Sequence, residues 1–345
     1  MSGEAGAPPA GVDPRAVAEH RDGVRRGDRR LLAKTITLLE SRRPDHAALG
    51  QAVLEELVPE TGAAVRVGIT GTPGVGKSSF IEAFGLHLTA SGRRVAVLAV
   101  DPSSPRSGGS ILGDKTRMER LAHDERAFIR PTPSGGSLGG VAHRTRETLL
   151  LCEAAGFDVV LVETVGVGQS EAAVASMVDF FGVLLQPGAG DELQGMKKGV
   201  LELADALIVN KADGELLPAA KRARIEYQHA LQLLRPTSTH WRPPVLLASA
   251  LTGEGIGAVW DTVLAHRDAL EASGELAARR RDQARAWLWA LVGEGLERAL
   301  REDPVVAREI PRLEAEVQER KTTPAAAARA LLTAFARRGQ PPPGD

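Results

Sequence analysis

The chain has 345 residues, 43% hydrophobic and 25% charged, with a formal net charge of -1 at pH 7. This is an ordinary globular composition, long enough for one large α/β domain with appended helices or for two domains. Nothing in it points to nucleic acid or an anionic membrane as a partner. The single cysteine, Cys152, excludes an intrachain disulfide and fits a reducing cytosol.

Residues 1–13 are rich in Gly, Pro and Ala and are expected to be disordered. They lack the basic and apolar regions of a secretory leader. No stretch of the chain approaches the roughly eighteen apolar residues of a membrane span, so a cytoplasmic protein is expected. Gly27–Ser41 and Asp45–Leu57 carry helical spacing of apolar residues, the second entered through Pro44-Asp45.

Ala64–Ile69 is a β-branched, apolar run, and Ser79–Leu88 again has helical spacing. Between them lies Gly71-Thr-Pro-Gly-Val-Gly-Lys-Ser-Ser79, in which Gly71, Gly76, Lys77 and Ser78 fit G-x-x-x-x-G-K-[ST]. Strand, Gly-rich turn and helix are the setting that a phosphate cradle needs. Glycines let backbone N–H groups turn inward around phosphate oxygens, where a side chain would block the approach. Thr72, Pro73, Gly74, Val75 and Ser79 complete the loop. Lys77 reaches the β- and γ-phosphates as a point charge, and the Ser78 hydroxyl ligates Mg²⁺. The helix beginning near Lys77 aims its positive end at the same anion.

Further strands are predicted at Arg94–Val100, Asp158–Glu163, Phe180–Leu185, Ala206–Asn210 and Val245–Ser249, each a short apolar run without clean alternation. Parallel strands covered on both faces read this way, so the fold class is α/β with a mostly parallel, doubly wound sheet. Polar residues close these runs (Thr70, Asp101, Glu163, Asn210 and Ser249), at the ends where ligands bind in such sheets. Cys152 falls in the apolar pattern Leu149–Ala155, as a buried core thiol does. From about Gly257 onward the pattern is helical, with Trp260, Trp287 and Trp289 at apolar positions. Arg279-Arg-Arg281 is expected to be a solvated face. A helical segment of this kind is expected to pack on a second copy, making a homodimer.

Asn210-Lys-Ala-Asp213 follows the strand Ala206–Val209. A carboxylate at Asp213 accepts hydrogen bonds from guanine N1–H and its exocyclic amine, whereas adenine N1 would face it with a lone pair. An unpaired buried carboxylate is costly. N-K-x-D alone arises by chance in roughly one chain in twenty of this size, so its weight comes from standing at a strand end downstream of the phosphate loop. Asn210 braces the loops and the Lys211 stem covers a face of the base. Ser249-Ala-Leu251 ends the next strand, where the backbone N–H groups of Ser249, Ala250 and Leu251 can meet the guanine carbonyl.

Glu163-Thr-Val-Gly166 takes the place of a D-x-x-G switch, with Glu163 serving Mg²⁺ and the Gly166 N–H meeting the γ-phosphate. Val167 stands where many such enzymes carry a water-positioning Gln, so slow intrinsic turnover is expected. Asp101 can approach Mg²⁺ or simply open a turn before Pro102. Asp114, in Gly108–Lys115, is either a metal ligand or a solvated loop acid. The Gly-rich segment Gln186–Lys198 can act as a further switch, carrying Lys197 toward phosphate or toward Glu163.

Together these motifs resemble the methylmalonyl-CoA mutase-associated GTPases, the MeaB/ArgK/MMAA family. The resemblance extends to Arg42-Arg-Pro-Asp-His46, Val100-Asp-Pro-Ser-Ser104, Gly109–Met118, Gly135–Gly140, Glu163–Glu171 and Gly188–Gly199, in order from about residue 27 to 251. It implies a dimeric P-loop NTPase of the SIMIBI class with helical extensions at both ends. GTP binding and hydrolysis would gate delivery of adenosylcobalamin to an acyl-CoA mutase, and its protection there. It also implies metal roles for Asp101, Asp114 and Glu163, and a switch containing Asp191, Gln194 and Lys197. The expected organisation is a helical extension at 14–62, a GTPase domain at 63–270, a helical dimerisation segment at 271–339 and a disordered tail at 340–345. Competing readings are a GTPase that inserts metal into another metalloenzyme, an arginine/ornithine transport-related kinase, and a scaffold that binds GTP without hydrolysing it. The first normally needs Cys or His clusters, and here eight His are scattered around one Cys.

Overall fold

The computed structural model describes residues 11–100, 118–132, 138–164, 171–188, 198–233 and 237–337. The chain divides into two compact units, Met1–Gln283 and Ala284–Asp345.

The first unit opens with three helices, α1 (Pro14–Arg25), α2 (Arg29–Glu40) and α3 (Pro44–Leu57). Asp13 caps α1 by accepting from the Arg15 N–H, and Asp28 caps α2 by accepting from Arg30 and Leu31. Each carboxylate satisfies N–H groups that have no partner within the helix. α2 and α3 fall where their periodicity placed them; α1 was not read from the sequence as an element.

A seven-stranded, all-parallel sheet follows, formed by β1 (Val65–Gly71), β2 (Val95–Val100), β3 (Ala127–Thr132), β4 (Val159–Thr164), β5 (Phe180–Leu185), β6 (Ala206–Val209) and β7 (Val245–Leu247). The strand order is β3-β2-β4-β1-β5-β6-β7. Beyond β1 the chain first builds toward β3 and then crosses to β5, so the order reverses around β1. Such a switch point opens a crevice at the strands' C-terminal ends.

Successive side chains along β2 serve opposite faces. Ala96, Leu98 and Val100 join one core with Leu32, Ile36, Val53 and Leu57 of the N-terminal helices. Val95 and Val97 join another with Phe80, Phe84, Val259 and Trp260. The N-terminal helices thus share a core with the sheet, beside α6 (Leu138–Ala154). The opposite face is covered by α4 (Lys77–Ala90) and α10 (Ile256–Ala272). Cys152 is buried in the first core, and burial pushes its thiol well above the ordinary range.

β3 was not predicted. It is an edge strand carrying Arg130 and Pro131. An edge tolerates a proline that a central strand excludes, and the two residues hide the apolar run. The solvated face expected at Arg279-Arg-Arg281 holds for the exposed Arg281 and needs correction at Arg279 and Arg280. α11 (Glu275–Glu302) runs past the strands' N-terminal ends, and there Arg280 Nη2 lies 2.6 Å from Asp179 Oδ2 while Arg279 Nη1 lies 3.2 Å from Asp205 Oδ2. Arg280 also donates to the carbonyls of Gly62 and Ala64. Asp179 and Asp205 immediately precede β5 and β6, so their carboxylates need cations that the local sequence does not supply.

In the second unit α12 (Pro304–Gln318) and α13 (Pro324–Ala336) pack together. Leu288, Trp289, Val292 and Leu296 of α11 are exposed. No helix among the described residues is long and apolar enough to cross a membrane.

Candidate functional site

β1 delivers the chain to Gly71 and α4 departs from Lys77. A Cβ at Gly71 would lie 2.6 Å from the Leu184 carbonyl oxygen, so only glycine lets the loop turn beside β5. Gly76 has φ 92°, a left-handed conformation, and a Cβ there would meet Asn210 Nδ2 at 3.0 Å. Lys77 Nζ donates to the carbonyls of Gly71 at 2.7 Å and Thr72 at 3.3 Å. Burial lowers its pKa, opposed by the charges of Glu163 and Glu171. An ammonium held among carbonyls in a partly dry loop gains on meeting a phosphate. Thr72 Oγ1 is buried and has no hydrogen-bond partner among the described residues, as a hydroxyl awaiting a ligand oxygen can be.

Pairing in the sheet sets Ile69 beside Glu163, which brings that carboxylate to the foot of the loop. Ser78 Oγ donates to Glu163 Oε1 at 3.3 Å. A hydroxyl and a carboxylate side by side at a helix N-terminus form a hard-oxygen pair. This suits Mg²⁺, which takes few protein ligands and keeps several waters. Among the described residues no group of three or more His, Cys, Asp or Glu is placed to hold a metal. Asp101, Asp114, Gly166, Asp191, Gln194 and Lys197 lie outside the described residues.

Asn210 joins the two halves of the site. Its Nδ2 donates to the Val75 carbonyl at 2.9 Å, and its Oδ1 accepts from the Ala250 N–H at 3.3 Å. Lys211 has φ 57°, which a non-glycine residue adopts only under local constraint. That turn carries Lys211 Nζ to the Gly74 carbonyl, 2.7 Å away. Ser249 Oγ donates to Asp213 Oδ2 and in turn accepts from the Thr252 N–H at 3.1 Å. The Asp213 carboxylate is therefore oriented before any ligand arrives. A cavity of about 510 Å³ runs from Gly76 and Ser79 to Lys211, Asp213, Ala250 and Leu251. The phosphate-loop and Asn210-Lys-Ala-Asp213 motifs thus share one cavity.

The family model for the methylmalonyl-CoA mutase-associated GTPase MeaB matches residues 32–305. The chain belongs to that family. Among its relatives, a putative GTPase of Caulobacter vibrioides is 57% identical over 317 residues, covering 92% of this chain and 96% of that protein. The mitochondrial methylmalonic aciduria type A homolog of Mus musculus is 47% identical, covering 91% of this chain and 78% of that protein. The crystal structure of a LAO/AO transport system kinase superposes with a TM-score of 0.75 at 40% identity, covering 94% of this chain and 99% of that one. By family and by fold this is a P-loop GTPase.

Two parts of this MeaB-family site were not read from the sequence. Glu171, at the start of α7 (Glu171–Ala175), is buried near enough to Lys77 to act on its charge. A Ser-Glu pair opening a helix was the available signal. The remaining cavity wall consists of Glu82, Ala83 and Leu86 of α4, with Arg120 and Leu216. No local motif announces it. A second cavity, of about 560 Å³, lies at the N-terminal end of β7 among Leu201, Gln228 and Pro244. None of the predicted site residues lines it.

Proposed function

We propose that this GTPase gates the delivery of adenosylcobalamin to an acyl-CoA mutase of the methylmalonyl-CoA mutase type, and protects the cofactor there. The observation that carries the reading is positional. β4 and β5 flank β1, which ends in the phosphate loop, and β2 lies next beyond β4; Asp101, Gly166 and the segment Gln186–Lys198 follow the ends of β2, β4 and β5 in the chain. Segments rooted there can respond to the γ-phosphate and present the response to a partner. The family's name supplies the partner.

In this reading Gly71 through Ser79 cradle the phosphates, and Lys77 draws negative charge from the β- and γ-oxygens as the bond to the leaving group breaks. Ser78 and Glu163, with Asp101 and Asp114, would hold Mg²⁺, whose positive charge offsets that of the phosphates. The Gly166 N–H meets the γ-phosphate. Asp191, Gln194 and Lys197 form the switch that reports its loss. Asp213 pairs with the guanine N–H edge, Asn210 fixes the loops, Lys211 covers one face of the base, and the backbone of Ser249, Ala250 and Leu251 receives the guanine carbonyl. Leu288, Trp289, Val292 and Leu296 offer an apolar surface for a second copy, which light scattering of the purified protein would test.

The test of the partner is co-purification with a cobalamin-dependent acyl-CoA mutase, in the presence of a non-hydrolysable GTP analogue and again with GDP. Nucleotide-dependent association, together with GTP turnover that rises when the mutase is added, is expected. Association and turnover indifferent to both nucleotide and mutase would refute the proposal.

A further inference from the structure

The cavity wall beyond Ser79 has a composition that the phosphate and base motifs do not explain. Glu82, an acid, lines a site whose ligand is a polyanion. Its position is set, since Glu82 Oε1 accepts the Arg120 backbone N–H at 2.9 Å. That amide belongs to α5 (Glu119–Ala122), which is held in the core by Leu121, with Met118 buried beside it. A carboxylate fixed in this way retains acceptor capacity for further donors.

Beside phosphate such a group is repelled. Its complement is a neutral part of the ligand that offers hydrogen-bond donors. A guanine nucleotide has two such parts, the N–H edge of the base and the vicinal hydroxyls of the sugar. Asp213, on the base-recognition loop and already oriented by Ser249, takes the first. Position along α4 favours the second. One turn of helix separates Ser78, at the phosphate end, from Glu82, a rise of about 6 Å, which is the scale separating a phosphate from its own ribose.

We infer that Glu82 is the sugar-recognising residue of this site, accepting hydrogen bonds from the ribose 2′ and 3′ hydroxyls from a seat provided by the Arg120 amide. The assignment rests on the guanine-nucleotide reading above. It predicts discrimination against deoxynucleotides, which a residue that merely anchored α5 would not produce.

The experiment is calorimetric titration of the full chain with GDP and with 2′,3′-dideoxy-GDP. The wild type should bind GDP roughly tenfold to a hundredfold more tightly, the usual worth of hydrogen bonds to an ionised group. Glu82→Ala should weaken GDP by that factor and leave the dideoxy nucleotide within about twofold, so that the preference collapses. Glu82→Gln, which keeps an acceptor without the charge, should fall between them. Equal wild-type affinity for the two nucleotides would overturn the sugar assignment alone. Equal weakening of both by Glu82→Ala would reduce Glu82 to an anchor and overturn it too. A wild type that binds no GDP at all would overturn the guanine reading and this assignment with it.

Discussion

Replacing Asp213 by Asn is the sharpest test of base recognition, because it changes one atom's chemistry while keeping shape. The Asp213 carboxylate sits in the cavity with Ser249 Oγ donating to Oδ2, and Asn can still accept that bond through its amide oxygen. Its amide nitrogen, however, presents donors where guanine also presents donors. Each hydrogen bond to an ionised group is worth about 1.5–3 kcal/mol. Losing one and weakening the other should cost GTP about 3–4 kcal/mol, or a few hundredfold in affinity. Xanthosine triphosphate has a carbonyl in place of the exocyclic amine, so it should pair with the amide of the Asp213→Asn variant and gain affinity. Competition against a fluorescent guanine nucleotide reads all three: GTP, ATP and XTP. If Asp213→Asn leaves the GTP to XTP ratio unchanged, the carboxylate does not face the base and the recognition scheme fails.

Lys77→Ala should lower GTP turnover at least a hundredfold in a phosphate-release assay, since the ammonium bonded to Gly71 and Thr72 is the cation that the loop itself carries. Arg280→Met should destabilise the fold by about 3–5 kcal/mol in urea unfolding, because it strands the buried Asp179 carboxylate; a shift below about 1 kcal/mol would show that the clamp is dispensable. Glu147, on α6 and bonded by Gln51 Nε2, has its pKa pushed up to about 7 by burial. The folded state therefore prefers its protonated form. This contribution to stability is fully present below about pH 4.5 and is lost as pH rises through about 7, amounting to about 3 kcal/mol above it. Glu147→Gln should be more stable than the wild type at pH 8 and should lose that part of the pH dependence. Parallel pH profiles for the two proteins would refute the assignment.

The central strands were legible because burial on both faces demands an uninterrupted apolar run, and β1, β2, β4, β5 and β6 all carry one. β3 escaped because an edge position relaxes that demand at Arg130 and Pro131. The phosphate loop and Asn210-Lys-Ala-Asp213 were legible for a related reason. Their chemistry lies in a few neighbouring residues of required type, so spacing together with the flanking strand and helix patterns reveals it.

Local identity settled the phosphate-loop and Asn210-Lys-Ala-Asp213 motifs, the central strands and the helices α2 and α3, because each depends on contacts within a few residues or on a short period. Partnership between distant polar groups was settled only by folding. Asp179 meets Arg280 across 101 positions, and Glu82 meets the Arg120 amide across 38. Neither pairing has a period or a spacing rule behind it. Each arises because elements distant in the chain pack side by side and bring together groups whose desolvation must be matched, and that matching is a property of the packed molecule rather than of any segment.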